Sequence, residues 1–156
     1  MDPASRVPRW LPPVVGLAAL AWMLHAWLPA TALLSQAAAD RQDLLRGTWL
    51  REYRDGGVQV RRLLSLHAGG TFRESVHVVE PAGTVTDFEH QGTWLYDGTN
   101  LKRRYTLVNG KPPSRLNLPF ATFEIAFDSR NAFTGIDHIH GHRIEYHRVA
   151  LDAGAD

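Results

Sequence analysis

The chain contains no cysteine. Disulfides, thiolate zinc sites, cysteine nucleophiles and a cysteine-linked lipid anchor are thereby excluded. A fold in an oxidising compartment would have to rest on packing and hydrogen bonds alone. Charge bias is also lacking: the net charge is +1 and the arginines are scattered through alternating segments. Nucleic-acid binders carry a basic stripe, so no nucleic-acid partner is expected. Catalytic signatures are missing as well, with no Gly-x-Ser-x-Gly elbow, phosphate loop, dinucleotide fingerprint or His-Glu-x-x-His helix. Asp87 and Glu89 alternate with Phe88 and His90, the pattern of acidic side chains on a solvent face. What remains is ordinary for one domain with a core: 156 residues, 44% hydrophobic and 21% charged.

One long hydrophobic run stands apart. No charged residue occurs from Trp10 to Ala39, and Arg6 and Arg9 lie just before it. Val14 to Leu28 has the length of a signal-peptide core, and extension to Leu34 makes it long enough to span a bilayer. Two readings stay open. Ala37-Ala38-Ala39 before Asp40 has the small-residue form of a cleavage site, which would release the domain to the periplasm. Trp10, Trp22 and Trp27 instead resemble the aromatic belt of a retained anchor through residues 10–34. Either way the arginines predict an N-terminus on the cytoplasmic side of an inner membrane, with everything after Asp40 translocated. Pro29 suits both readings, and His25 reads as a tolerated neutral side chain.

Residues 36–46 read as a linker or short helix, 47–150 as the folded domain and 151–156 as a disordered tail. In the domain the pattern turns to period two, with turn signals at Asp55-Gly56-Gly57, Ala68-Gly69-Gly70, Pro81-Ala82-Gly83, Asp97-Gly98, Asn109-Gly110, Ser129-Arg130-Asn131 and Gly141. Between them the spacing predicts about eight or nine strands. Their expected positions are 47–54, 58–67, 71–79, 84–90, 92–97, 100–108, 121–128, 132–138 and 143–149. A meander of this length removes its exposed edges by closing into an antiparallel up-and-down barrel.

Gly47-Thr48-Trp49-Leu50 recurs as Gly92-Thr93-Trp94-Leu95, with Gly70-Thr71-Phe72 between them. A Gly-x-Trp opening the first strand resembles the lipocalin and fatty-acid-binding superfamily, the calycins. The second copy midway is similar to bacterial lipocalin-like proteins. The resemblance covers residues 46–149 and implies a barrel with tryptophan plugging one end. It also implies a lumen that takes a small apolar ligand or the tail of a small amphipathic one.

Alternation assigns the lumen side. Val58, Val60, Leu64 and Leu66 share a face with Arg62; Phe72, Val76 and Val78 share one with Glu74. Leu101, Tyr105 and Leu107 share a face with Arg103, Ile144 and Tyr146 with Arg148, and Phe123, Ile125 and Phe127 form an uncharged wall. Buried charge is costly unless paired or met by a ligand. Arg62, Glu74, Arg103, Tyr105 and Tyr146 are therefore the candidate ligand-binding residues, with the arginines receiving a carboxylate or another anion. The competing reading is an internal ion-pair network in a filled barrel, which would then serve as an interaction module of an envelope complex.

His138, His140 and His142 concentrate three of the eight histidines. Two apart on one strand, His138 and His140 would share a face and could hold zinc, copper or nickel. A two-residue turn at His140-Gly141 would instead pair His138 with Arg143 and leave Glu145 as the nearest carboxylate. Apart from such a metal ion, no cofactor is indicated.

Overall fold

A computed structural model describes residues 36, 37, 39–114 and 119–149. The hydrophobic run at 10–34, the cleavage motif's outcome and the tail at 151–156 lie outside the described residues. Among those described, no helix is long and apolar enough to cross a membrane. The chain divides at Ala39/Asp40, and the second unit, Asp40–Asp156, holds the barrel.

Eight strands follow helical residues 40–45. They are β1 (Gly47–Asp55), β2 (Val58–Leu66), β3 (Thr71–Val79), β4 (Val85–Tyr96), β5 (Asn100–Val108), β6 (Phe120–Ser129), β7 (Ala132–Asp137) and β8 (Arg143–Val149). Each pairs antiparallel with the next, and β8 returns to β1 to close the barrel. The all-β, up-and-down architecture expected from turn spacing is the one observed. Its form is compatible with a lipocalin-like fold.

The strand count differs at one place. Residues 84–90 and 92–97, expected as two strands, form the single β4 running through Gln91 and Gly92. Gly92 makes no turn; it permits close approach. A Cβ there would lie 1.9 Å from the Arg104 carbonyl oxygen and 2.7 Å from the Phe72 ring. The irregularity falls opposite, on β5, where Gln91 pairs with Leu107 but Gly92 pairs with Tyr105. Thr106 is the extra residue of a bulge, and it re-aims the side chains beyond it. Leu107, expected in the lumen, shares the outer face with Gln91, while Val108 pairs with inward His90. Gly92→Ala should force the strands apart and destabilise the protein by about 3 kcal/mol, the upper end for overpacking. Gly69, with open space around it, is the control. Gly69→Ala should leave the urea midpoint nearly unchanged, and equal midpoints for the two variants would refute the close-approach account.

The two Gly-Thr-Trp copies do related work. Trp49 and Trp94 both point inward and are buried. Each indole donates to a backbone carbonyl, Trp49 Nε1 to Leu45 at 2.7 Å and Trp94 Nε1 to His67 at 3.0 Å. Leu45, at the end of the helical residues, is fully buried against this core. Arg148 lies over the Trp49 ring at 4.3 Å and donates to the carbonyls of Arg46, Leu44 and Arg130. One end of the barrel is thus plugged by Trp49, Leu45 and Arg148.

The opposite end is less covered. The β1–β2 ladder runs on to Asp55/Val58, but β1 meets β8 only from Thr48 to Leu50. β7 turns early, at Asp137, so the wall is low on that side and the mouth is skewed.

Candidate functional site

Glu74 stands at the centre of the lumen, fully buried, and register explains its company. β3 pairs it directly with Leu64 on β2 and His90 on β4. Residues opposite one another in a sheet share a face, so the His90 ring meets the carboxylate inside the barrel. His90 Nδ1 lies 3.1 Å from Glu74 Oε2. On the other oxygen converge Arg103 Nη1 at 3.2 Å, Arg62 Nη1 at 3.6 Å and the Tyr146 hydroxyl, which donates at 3.4 Å.

The charges do not balance. Two guanidiniums serve one carboxylate oxygen, and the Arg103 contact is an ion pair without hydrogen-bond alignment. Arg103 Nε and Nη1 and Arg62 Nε are buried with no hydrogen-bond partner. Arg103 is instead enclosed by aromatic faces, its guanidinium carbon 5.1 Å from Phe123, 5.5 Å from Phe72 and 5.6 Å from Tyr105. Such contacts stabilise a desolvated cation by up to about 2 kcal/mol. Arg51, paired with Arg62 across β1 and β2, adds a third inward cation and packs over Tyr53 at 4.2 Å.

Burial alone would raise the Glu74 pKa, but Arg103, the His90 bond and Arg62 outweigh it and hold the carboxyl well below its usual range. Desolvation likewise works against the charge on Arg103 and Arg62, and the facing Glu74 carboxylate prevails, raising both. Burial pushes the Tyr146 hydroxyl up to about 12, and burial raises Tyr105 as well. The cluster is a fixed anion between fixed cations, with neutral phenols.

All five sequence candidates face the lumen, but they differ in reach. Glu74, Arg103 and Tyr146 are buried. The Arg62 side chain is 28% exposed and that of His90 19% exposed. His90 and Tyr105 form the inner wall of a pocket of about 390 Å³ at the mouth, whose outer wall is Val108, Pro112, Pro113 and Pro119. A larger hollow of about 490 Å³ by the β1–β2 hairpin shares no residue with the Glu74 cluster. Sequence reasoning placed His90 beside solvent-facing acids and missed it. Its parity with Trp94 along β4 carried the signal.

The histidine hairpin departs from expectation. Ile136, not His138, pairs with Arg143, and the Asp137 N–H donates to His142 O at 3.0 Å. His138 and His140 therefore lie in a four-residue turn rather than on one strand face. Asp137 shapes that turn by accepting from the Ile139 amide at 2.7 Å and meeting His140 Nδ1 at 2.9 Å. His138 reaches Asn100 instead, at 3.1 Å, and His140 stacks on His142 with centroids 5.7 Å apart. Among the described residues no group of three or more metal-ligating side chains comes together.

No protein-family model matches this chain, and no curated protein matches it. The functional reading therefore rests on the barrel and its charges.

Proposed function

We propose that the barrel binds a small amphipathic anion at its open end, with the anionic group directed to Arg62 and the apolar body in the mouth pocket. The observation that carries this is the surplus of lumen cations: Arg62 and Arg103 share the carboxylate of Glu74, and Arg51 lies on the same inner face beside Arg62. Buried Arg103 is balanced by Glu74, so the surplus falls on half-buried Arg62 and Arg51, where an incoming anion would pair it. The plugged half limits the ligand. Trp49, Phe72, Phe123 and Phe133 pack there in one core cluster, which favours a short ligand over a long chain. A short or aromatic carboxylate or sulfonate suits the pocket walled by Tyr105, Val108 and the prolines.

This reading agrees with the calycin resemblance of the Gly-Thr-Trp copies. It also agrees with an inner-membrane or periplasmic setting, for which Arg6, Arg9 and the uncharged run are the support.

Naphthalene-1-sulfonate, with 1-naphthylmethanol as the uncharged counterpart, tests it. Equilibrium dialysis of the full chain in zwitterionic nanodiscs, against empty discs, should show the sulfonate bound more tightly than the alcohol. Arg62→Gln should weaken the sulfonate at least tenfold, about 1.4 kcal/mol, and change the alcohol little. Equal binding of both probes would remove the anion site. Binding of neither would favour the filled barrel as an interaction module of an envelope complex.

A further inference from the structure

We infer that His90 is the specificity-determining contact of the mouth pocket and couples anion binding to uptake of one proton. The inference rests on the anion-binding reading above. Its geometric basis is the position of the ring between two surroundings. Nδ1 is held 3.1 Å from Glu74 Oε2, and the same ring lines the mouth pocket beside Tyr105. Edge-to-face packing on Tyr105, with centroids 5.5 Å apart at 85°, fixes its plane.

The two ring nitrogens have different roles. An ionised carboxylate only accepts hydrogen bonds, so Nδ1 carries the hydrogen it gives to Glu74. Nε2 is then the atom that gains or loses the proton. In neutral His90 it offers a lone pair, which repels an anion. In the imidazolium it offers an N–H, which binds one. Neutral His90, a proton and the anion combine into an imidazolium–anion complex, so one proton is taken up for each anion bound to the neutral form. No other co-reactant is needed.

The groups facing His90 leave it as the switching element. Glu74 from β3 stays ionised, and Arg62 from β2 and Arg103 from β5 stay cationic. Tyr105 from β5 and Tyr146 from β8 stay neutral, because burial raises both. Asp137 at the rim stays ionised. Val108 and the prolines do not titrate. Histidine ordinarily changes charge between about pH 5 and 8, the window in which none of these groups does. His77 lies elsewhere, paired with Asp87 at 2.7 Å on the exposed face of the barrel.

Naphthalene-1-sulfonate is the probe, since its charge is constant throughout this range. With the full chain in nanodiscs, its affinity should fall as pH rises from 5.5 to 8.5, with a steepest slope of about tenfold per pH unit, the limit for one proton taken up. His90→Gln should bind with an affinity that does not vary with pH. On the unaltered protein, calorimetry across the falling limb of that profile, in buffers of different ionisation enthalpy, should report net proton uptake on sulfonate binding. Binding without proton uptake, or a His90→Gln profile that keeps the slope, overturns the role of His90 and leaves the anion site standing. No binding at any pH overturns the anion site itself and the coupling with it.

Discussion

Trp49→Ala is expected to destabilise the barrel by about 3–5 kcal/mol, the range for emptying a fully buried large aromatic site. Three losses combine. The indole's edge-on contact with Phe133, centroids 4.7 Å apart, becomes a cavity. Arg148 loses the ring under its guanidinium, and the Leu45 carbonyl loses its donor. Because Leu45 ends the helical residues that cap this end, the damage should spread to them. Urea denaturation followed by circular dichroism measures the stability, and hydrogen exchange at residues 40–46 reads the cap. Trp49→Phe keeps most of the packing and loses the bond, so its added cost should be about 1–2 kcal/mol. If Trp49→Ala unfolds within about 1 kcal/mol of the parent, the plug is not what closes this end.

Glu74→Gln is expected to have an effect of the same size by a different route. It leaves the volume unchanged but strips the counter-charge from Arg103, whose side chain is only 3% exposed. Breaking a buried pair by removing one partner costs about 3–5 kcal/mol, because the remaining charge is stranded. Replacing both partners is far milder, so Glu74→Leu combined with Arg103→Met should recover much of the loss. Acid should narrow the gap between parent and Glu74→Gln. The folded-state pKa of Glu74 lies below its ordinary value of 4.5, so its stabilisation is complete above that value. As pH falls toward the folded pKa, the unfolded chain takes up the proton first and the contribution is lost. Urea midpoints of both proteins from pH 7 to 2.5 test this. A gap that stays constant into acid would show that Glu74 acts by shape and not by charge.

The strands and their inward faces were largely legible because a half-buried strand writes its environment at every second residue. Arg62, Glu74, Arg103 and Tyr146 could thus be placed inside before any contact was known. Local alternation fails where the backbone departs from regularity. The Thr106 bulge turned Leu107 out and brought Val108 in, and nothing in Tyr105-Thr106-Leu107-Val108 announces it. Gly92 read as the opening of a new strand, by analogy with Gly47; its real constraint, the Arg104 carbonyl, lies on another strand. The histidine turn was set by Asp137, which draws the Ile139 amide and His140 onto its own carboxylate and ends β7 early.

By itself, then, the sequence determined the barrel architecture, most of the inward faces and the presence of Arg62, Glu74 and Arg103 among apolar neighbours. Period-two patterning and turn chemistry are local properties and need no partner to be read. Only the tertiary structure decided that Glu74 meets His90, Arg103, Arg62 and Tyr146 at once. That meeting depends on the register of separate hairpins and on barrel closure, which bring together residues as far apart as Glu74 and Tyr146. The site is non-local, and a one-residue slip between any two strands would dissolve it.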